Sequence, residues 1–347
     1  MSTKRNIERP TLNNRVQRSE FAACAAAGFT VRCSTRKDRH KFPMLRLLLL
    51  ALSAILTCAT TRAETNIVKK DGTTQVAKAL RREKDNIIAT IELPVAKAGD
   101  PVQTGDVGIP VLQIQKIEFG EPAALRTAPE LLIQGKTDEA LAQLDQALRY
   151  YDAFRDAPGS WWADLTLMKM NALVSLGREK DADALADTMS RLATDPDSQR
   201  AAKVLLAAAA IRHGDVKSAA DTLEGVLKDS AKSDVLASAA IYKGQSCLAL
   251  KDWENALLSF LQIPVLYPDQ KALAPASMLG VGRAHFGLED FPLAKSTLKE
   301  LMKTYKGTPE AVAAKAEMEL IAKRERALSD PNAPKDSNAA PNPPAPK

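Results

Sequence analysis

Between residues 123 and 327 the chain alternates apolar and polar positions at helical spacing, with apolar side chains three and four apart on one face. The pattern breaks at short polar turns and resumes. Aligning those turns superposes five stretches: GKTDEALAQLDQAL from Gly135, GREKDADALADTMS from Gly177, GDVKSAADTLEGVL from Gly214, KDWENALLSFLQIP from Lys251 and EDFPLAKSTLKELM from Glu289. A small residue recurs in register at Ala140, Ala182, Ala219, Ala256 and Ala294, at intervals of 42, 37, 37 and 38. Self-similarity at that period predicts stacked helical hairpins, because one amphipathic hairpin cannot bury its own stripe. Glycine in the first three turns predicts a left-handed residue that ends the first helix of each pair. Where Lys251 and Glu289 stand instead, the aromatics Trp253 and Phe291 are expected to close the hairpin by packing.

The most complete unit runs from Ala239 to Asp269, with Gly244, Ala256 and Phe260 at its close contacts and Tyr267-Pro268-Asp269 at its end. The next unit repeats them as Gly282, Ala294 and Leu298. These positions resemble the tetratricopeptide repeat in a slightly long form. The earlier units depart from that pattern, with Met170 where a small residue is usual and Pro129 inside the first helix. The fold class implied is mainly α: a tetratricopeptide-like α-solenoid over 122–328, preceded by a small β-barrel or sheet module. The resemblance also implies a concave groove lined by the first helix of each unit. Projected spacing puts Asn171, Val204, Ala208, Ile241, Gln245, Leu279 and Arg283 on it. The family's carboxylate clamp of several Lys and Arg is missing, so the expected guest is an apolar or amphipathic protein segment. The likeness extends to exported tetratricopeptide proteins of the bacterial cell envelope.

Residues 64–121 read differently. Lys70-Asp71-Gly72 is a hairpin signal between Asn66–Lys69 and Thr73–Leu80. Ile87–Leu93 and Val111–Phe119 supply further strands, with a loop at Gly99–Pro101 and Gly105-Asp106. The outline is SH3- or Sm-like, and a sheet capping the first helix of the solenoid is the plainer expectation. Trp161-Trp162 opens the second unit; the pair packs between units or presents an exposed aromatic platform. The second option belongs to an alternative function, a glycan- or peptidoglycan-associated module using the β domain.

Charge sharpens the division. The whole chain carries a formal +6, but residues 1–63 hold 12 Lys and Arg against 3 Asp and Glu, a net of +9, leaving 36 against 39, a net of −3. The basic balance belongs to the leader, and a nucleic-acid partner loses its support. Met44-Leu45-Arg46, an apolar run and the small-residue exit at Ala63 form a signal peptide over 44–63. The protein is therefore expected to be exported, with translation starting at Met44 and 1–43 a non-native or disordered extension. A membrane association is expected only through an uncleaved signal or a lipid on Cys58. Cys247 alone remains after the leader, so no disulfide framework or metal cluster is expected. His213 and His285 read as core residues, and no nucleophile motif or phosphate loop occurs. No cofactor and no catalysis are expected. Residues 329–347, with six prolines after Ser329, are expected to be disordered.

Overall fold

The structure is a computed structural model that describes residues 64–94, 101–229 and 231–329. Residues 1–63, with the expected signal peptide and Cys58, and the proline-rich segment from Asp330 lie outside the described residues.

Six strands come first: β1 (Thr65–Lys69), β2 (Thr74–Ala77), β3 (Ala79–Glu83), β4 (Asn86–Glu92), β5 (Thr104–Pro110) and β6 (Ile114–Glu118). They form two antiparallel sheets, ordered β2-β1-β6 and β3-β4-β5. The β2–β3 run breaks only at Lys78, whose N–H donates to the Thr90 carbonyl at 2.8 Å, so one bent stretch serves both sheets. Gly72 turns the first hairpin at φ 84°, and the Asp71 carboxylate accepts the Thr73 N–H at 2.8 Å. Ile67, Ile87, Ile114 and Ile117 fill the space between the sheets.

Gly105-Asp106, expected as part of a loop, lies within strand β5. The glycines that suggested a turn sit within the ladder instead. Gly108 lies opposite Ile88 in the ladder, and the Leu93 side chain lies over Gly105. A missing side chain lets an aliphatic neighbour lie over the backbone.

Eleven α-helices follow, among the described residues. Five hairpins pair α1 (Ala123–Ile133) with α2 (Thr137–Tyr151), α3 (Trp162–Ser175) with α4 (Glu179–Leu192) and α5 (Pro196–Arg212) with α6 (Val216–Lys228). They continue with α7 (Ser233–Ala249) and α8 (Trp253–Leu266), then α9 (Ala274–Gly287) and α10 (Phe291–Thr304), and α11 (Pro309–Ser329) covers the end. The five recurring alanines are all fully buried, at 1% exposure or less. Every first-to-second-helix turn has a left-handed residue: Gly135, Gly177 and Gly214 at φ 75°, 69° and 92°, and Lys251 and Glu289 at 61° and 60°. The turn geometry is thus common to all five hairpins, and two of them carry it on residues with side chains.

Phe260 shows what the small positions are for. Its ring lies on Gly244 of its own hairpin and on Gly280 of the next, where an added Cβ would meet the ring at 2.7 Å and 2.4 Å. Leu298 fills the same place over Gly282. Trp253 reaches across to Gly287 in the following hairpin, so it joins two units as well as closing its own. The apolar seam is divided among three successive clusters, with Leu165 and Leu223 in the first, Phe260 in the second and Leu298 in the third.

The 42-residue interval has a structural cause. Between α2 and α3 the chain adds a 3₁₀ turn, Asp152–Phe154, and a loop that docks the β module. Phe154 and Ala157 are buried in the core of the β module, and the Ile117 N–H donates to the Pro158 carbonyl at 2.8 Å. Arg82 binds both Asp156 carboxylate oxygens, at 3.1 and 2.9 Å. The module therefore seats on the connection between the first two hairpins, which corrects the expectation that it caps the first helix. Gly159 is required there: at φ 88° its missing Cβ would lie 2.2 Å from the Ile117 carbonyl oxygen.

The stack curls within five hairpins. The Gly135 turn meets the Gly307 backbone, where a Cβ would lie 2.4 Å away. Ser175 at the end of α3 donates to Glu310 Oε1 in α11 at 2.5 Å, and Lys271 before α9 reaches Glu130 in α1 at 3.4 Å. The first two hairpins thus rest on the start of the last units.

Candidate functional site

First helices pack in a row, each on the next, and α3 also touches α7 two units on. Asn171 in α3 carries that contact. Its amide nitrogen donates to the Ser238 hydroxyl at 3.0 Å and its oxygen accepts from Tyr242 at 2.7 Å. The curvature leaves no broad open cradle. It borders a partly open cavity of about 1130 Å³ to which α1, α3, α5, α7, α9 and α11 all contribute.

Five of the seven groove candidates line it: Asn171, Ile241, Gln245, Leu279 and Arg283. Val204 and Ala208 do not; they are buried in the common core of α3 to α7. Tight curvature explains this, since a helix between two touching neighbours turns its inner face into the packing. Phe260, Leu132 and Pro129 also face the cavity, and nothing in the helical projection pointed to the last two.

The aromatic pair is not an exposed platform. Trp162 is buried in the helical core, and Trp161 is half-buried on the cavity wall, its indole N–H donating to the Phe119 carbonyl at 3.3 Å. The Lys232 ammonium stands 5.5 Å from the Trp161 ring centre and pairs with Asp164 at 2.8 Å.

Seven carboxylates and three cations line the cavity. Each cation is engaged: Lys232 by Asp164, Arg283 by the buried Glu317 at 2.7 Å, and Arg212 by Asp183. Burial, with the Asp164 charge beside it, pushes the Asp234 carboxyl up to about 6. Burial also raises the Glu310 carboxyl, against the hydrogen bond from Ser175. Arg212 Nε is buried with no acceptor, a state that costs about 1–3 kcal/mol unless a guest supplies one.

The histidines divide. His285 is half-buried with its Nδ1 buried and unpartnered. His213 is on the surface, 69% exposed and 3.0 Å from Asp183, so it is not the core residue expected. It lies at the C-terminus of α5, where a cation complements the helix dipole. Cys247 is a buried free thiol, raised chiefly by burial. Among the described residues no group of three His, Cys, Asp or Glu is placed to hold a metal, and no helix is long and apolar enough to cross a membrane.

No curated protein matches the chain. Residues 204–271, from within α5 through α8 to the following turn, match the family model described as tetratricopeptide repeat. Repeats of this family are in general protein–protein interaction modules. Residues 204–271 are thus similar to tetratricopeptide repeats, and the hairpins on either side share the same left-handed turn geometry.

Proposed function

We propose that this protein is a non-enzymatic scaffold of the bacterial cell envelope, exported by the segment 44–63, that holds an apolar or amphipathic segment of a partner protein in its inner cavity. The observation that carries the reading is the cavity itself. It is built by the first helices of the array and walled by the half-buried Leu125, Leu132 and Met168. At about 1130 Å³ it slightly exceeds the 300–1,000 Å³ typical of small-molecule pockets and suits a short stretch of chain.

A photo-crosslinking residue placed at Gln245, inside, is expected to capture a partner in cells. The same residue at Leu258, on the outer face and 63% exposed, is not. Equal capture at both positions, or capture only outside, moves the site off the cavity. Cell fractionation with N-terminal sequencing tests the export: mature protein beginning after Ala63 is expected, and a cytosolic protein that keeps its leader rejects it.

A further inference from the structure

We infer that the segment held in the cavity is cationic: a peptide with lysine or arginine between apolar residues, contributed by a partner protein. The inference deepens the proposal above and rests on it. Three features of the wall carry it.

The first is charge. All three cations of the lining are already engaged by carboxylates. Glu179, Asp234 and Glu310 are half-buried and, among the described residues, have no cation within ion-pair distance; burial holds Asp234 and Glu310 toward their neutral forms, and a cation in the cavity would draw both to the charged form. They belong to α4, α7 and α11, three separate elements, so the excess of negative charge surrounds the space. Low-dielectric walls strengthen that field. An acidic guest is repelled and a basic one is drawn in.

The second is a buried donor without a partner. Arg212 is nine-tenths buried on the cavity wall, and its charge is met by Asp183 at the terminal nitrogen, while its Nε has no acceptor. In the free chain that N–H is shielded from solvent, and a turn of the guanidinium would present it to a neutral oxygen such as a peptide carbonyl. A bare metal ion or an amine offers none.

The third is the apolar wall of Leu125, Leu132 and Met168, half-buried on the cavity, which holds the side chains between the cations. Carbonyl, cation and apolar group together describe a basic peptide.

The test uses the full chain and three fluorescein-labelled peptides of one length, alternating leucine with lysine, glutamine or glutamate. Fluorescence anisotropy is expected to rank them lysine, glutamine, glutamate, with the lysine peptide at least about tenfold tighter than the glutamate one, a gap of about 1.4 kcal/mol. Added salt should narrow the gap. The triple variant Glu179→Gln, Asp234→Asn, Glu310→Gln keeps the shapes and removes the charges, and is expected to equalise the three peptides. Three equal affinities in the unmodified chain overturn the inference and leave the groove proposal standing. Binding that is tightest for glutamate, or unchanged ranking in the triple variant, overturns it too. Spermidine bound as tightly as the lysine peptide overturns the peptide class. If none of the three binds and Gln245 captures nothing in cells, the groove proposal itself falls.

Discussion

Lys251 and Glu289 hold the left-handed turn that glycine holds in the other three hairpins. A side chain in that region costs about 1–2 kcal/mol. Lys251→Gly is therefore expected to raise stability by about 1 kcal/mol, read as a higher urea midpoint at unchanged slope. Glu289→Gly should gain less, because Glu289 also accepts from Arg324 at 3.0 Å. Asp234 supplies the titration that is visible in stability. Its proton is held more tightly in the folded chain, at about 6, than at the ordinary 3.8. The folded state thus binds more protons between those values, and stability falls as pH rises from about 4 to about 6. Asp234→Asn should stabilise the protein on the order of 1 kcal/mol at pH 7 and lose that advantage below pH 4, measured by urea titration across pH. The turn glycines were legible in the sequence because a turn is a local event. The left-handed Lys251 and Glu289 were not, since nothing in their chemistry asks for that conformation.

At the scale of the element, one ring joins two units. Phe260 is fully buried between Gly244 and Gly280. Phe260→Ala should cost about 3–5 kcal/mol, the usual range for an emptied phenyl site. Gly280→Ala should cost about 1–3 kcal/mol, because the new methyl displaces the ring. The alternation of small and large residues at Gly244, Ala256 and Phe260 was readable as a repeat signature. That Gly280, not part of the signature, is the second seat of the ring was not readable, because it depends on how adjacent units stack. The same holds for the β module. Its hairpin at Asp71-Gly72 announced itself, but its berth on Phe154 joins segments about 40 residues apart or more. Phe154→Ala is expected to loosen the β core and the first hairpin together, by about 3–5 kcal/mol, seen as faster amide exchange in both.

For the molecule as a whole, the decisive contact is the seam between the first and last units. Gly135 and Gly307 approach backbone to backbone, beside the Ser175–Glu310 hydrogen bond. Gly135→Val places a branched side chain at φ 75°, where only glycine is comfortable, and into the Gly307 backbone. A larger radius of gyration by solution scattering, with helical content kept, is the expected outcome. An unchanged radius would mean that the curl is held by the hairpin stacking alone. Opening the seam also separates α3 from α11, so the variant should weaken the lysine peptide along with the compactness.

Sequence alone determined the hairpins: their number, their turns, the buried alanines and the order of a β module before an α array. All of these arise from interactions within some forty residues, where helical spacing, turn chemistry and side-chain size act directly. The tertiary structure decided the curvature, and with it the site. A small rotation between neighbouring units, repeated over five, determines whether a groove stays open or closes on itself. That rotation is the sum of many contacts such as Phe260 on Gly280, and no single residue encodes it. Curvature then selected which inner residues face the cavity, sent Val204 and Ala208 into the core, and gathered carboxylates from helices far apart in the chain.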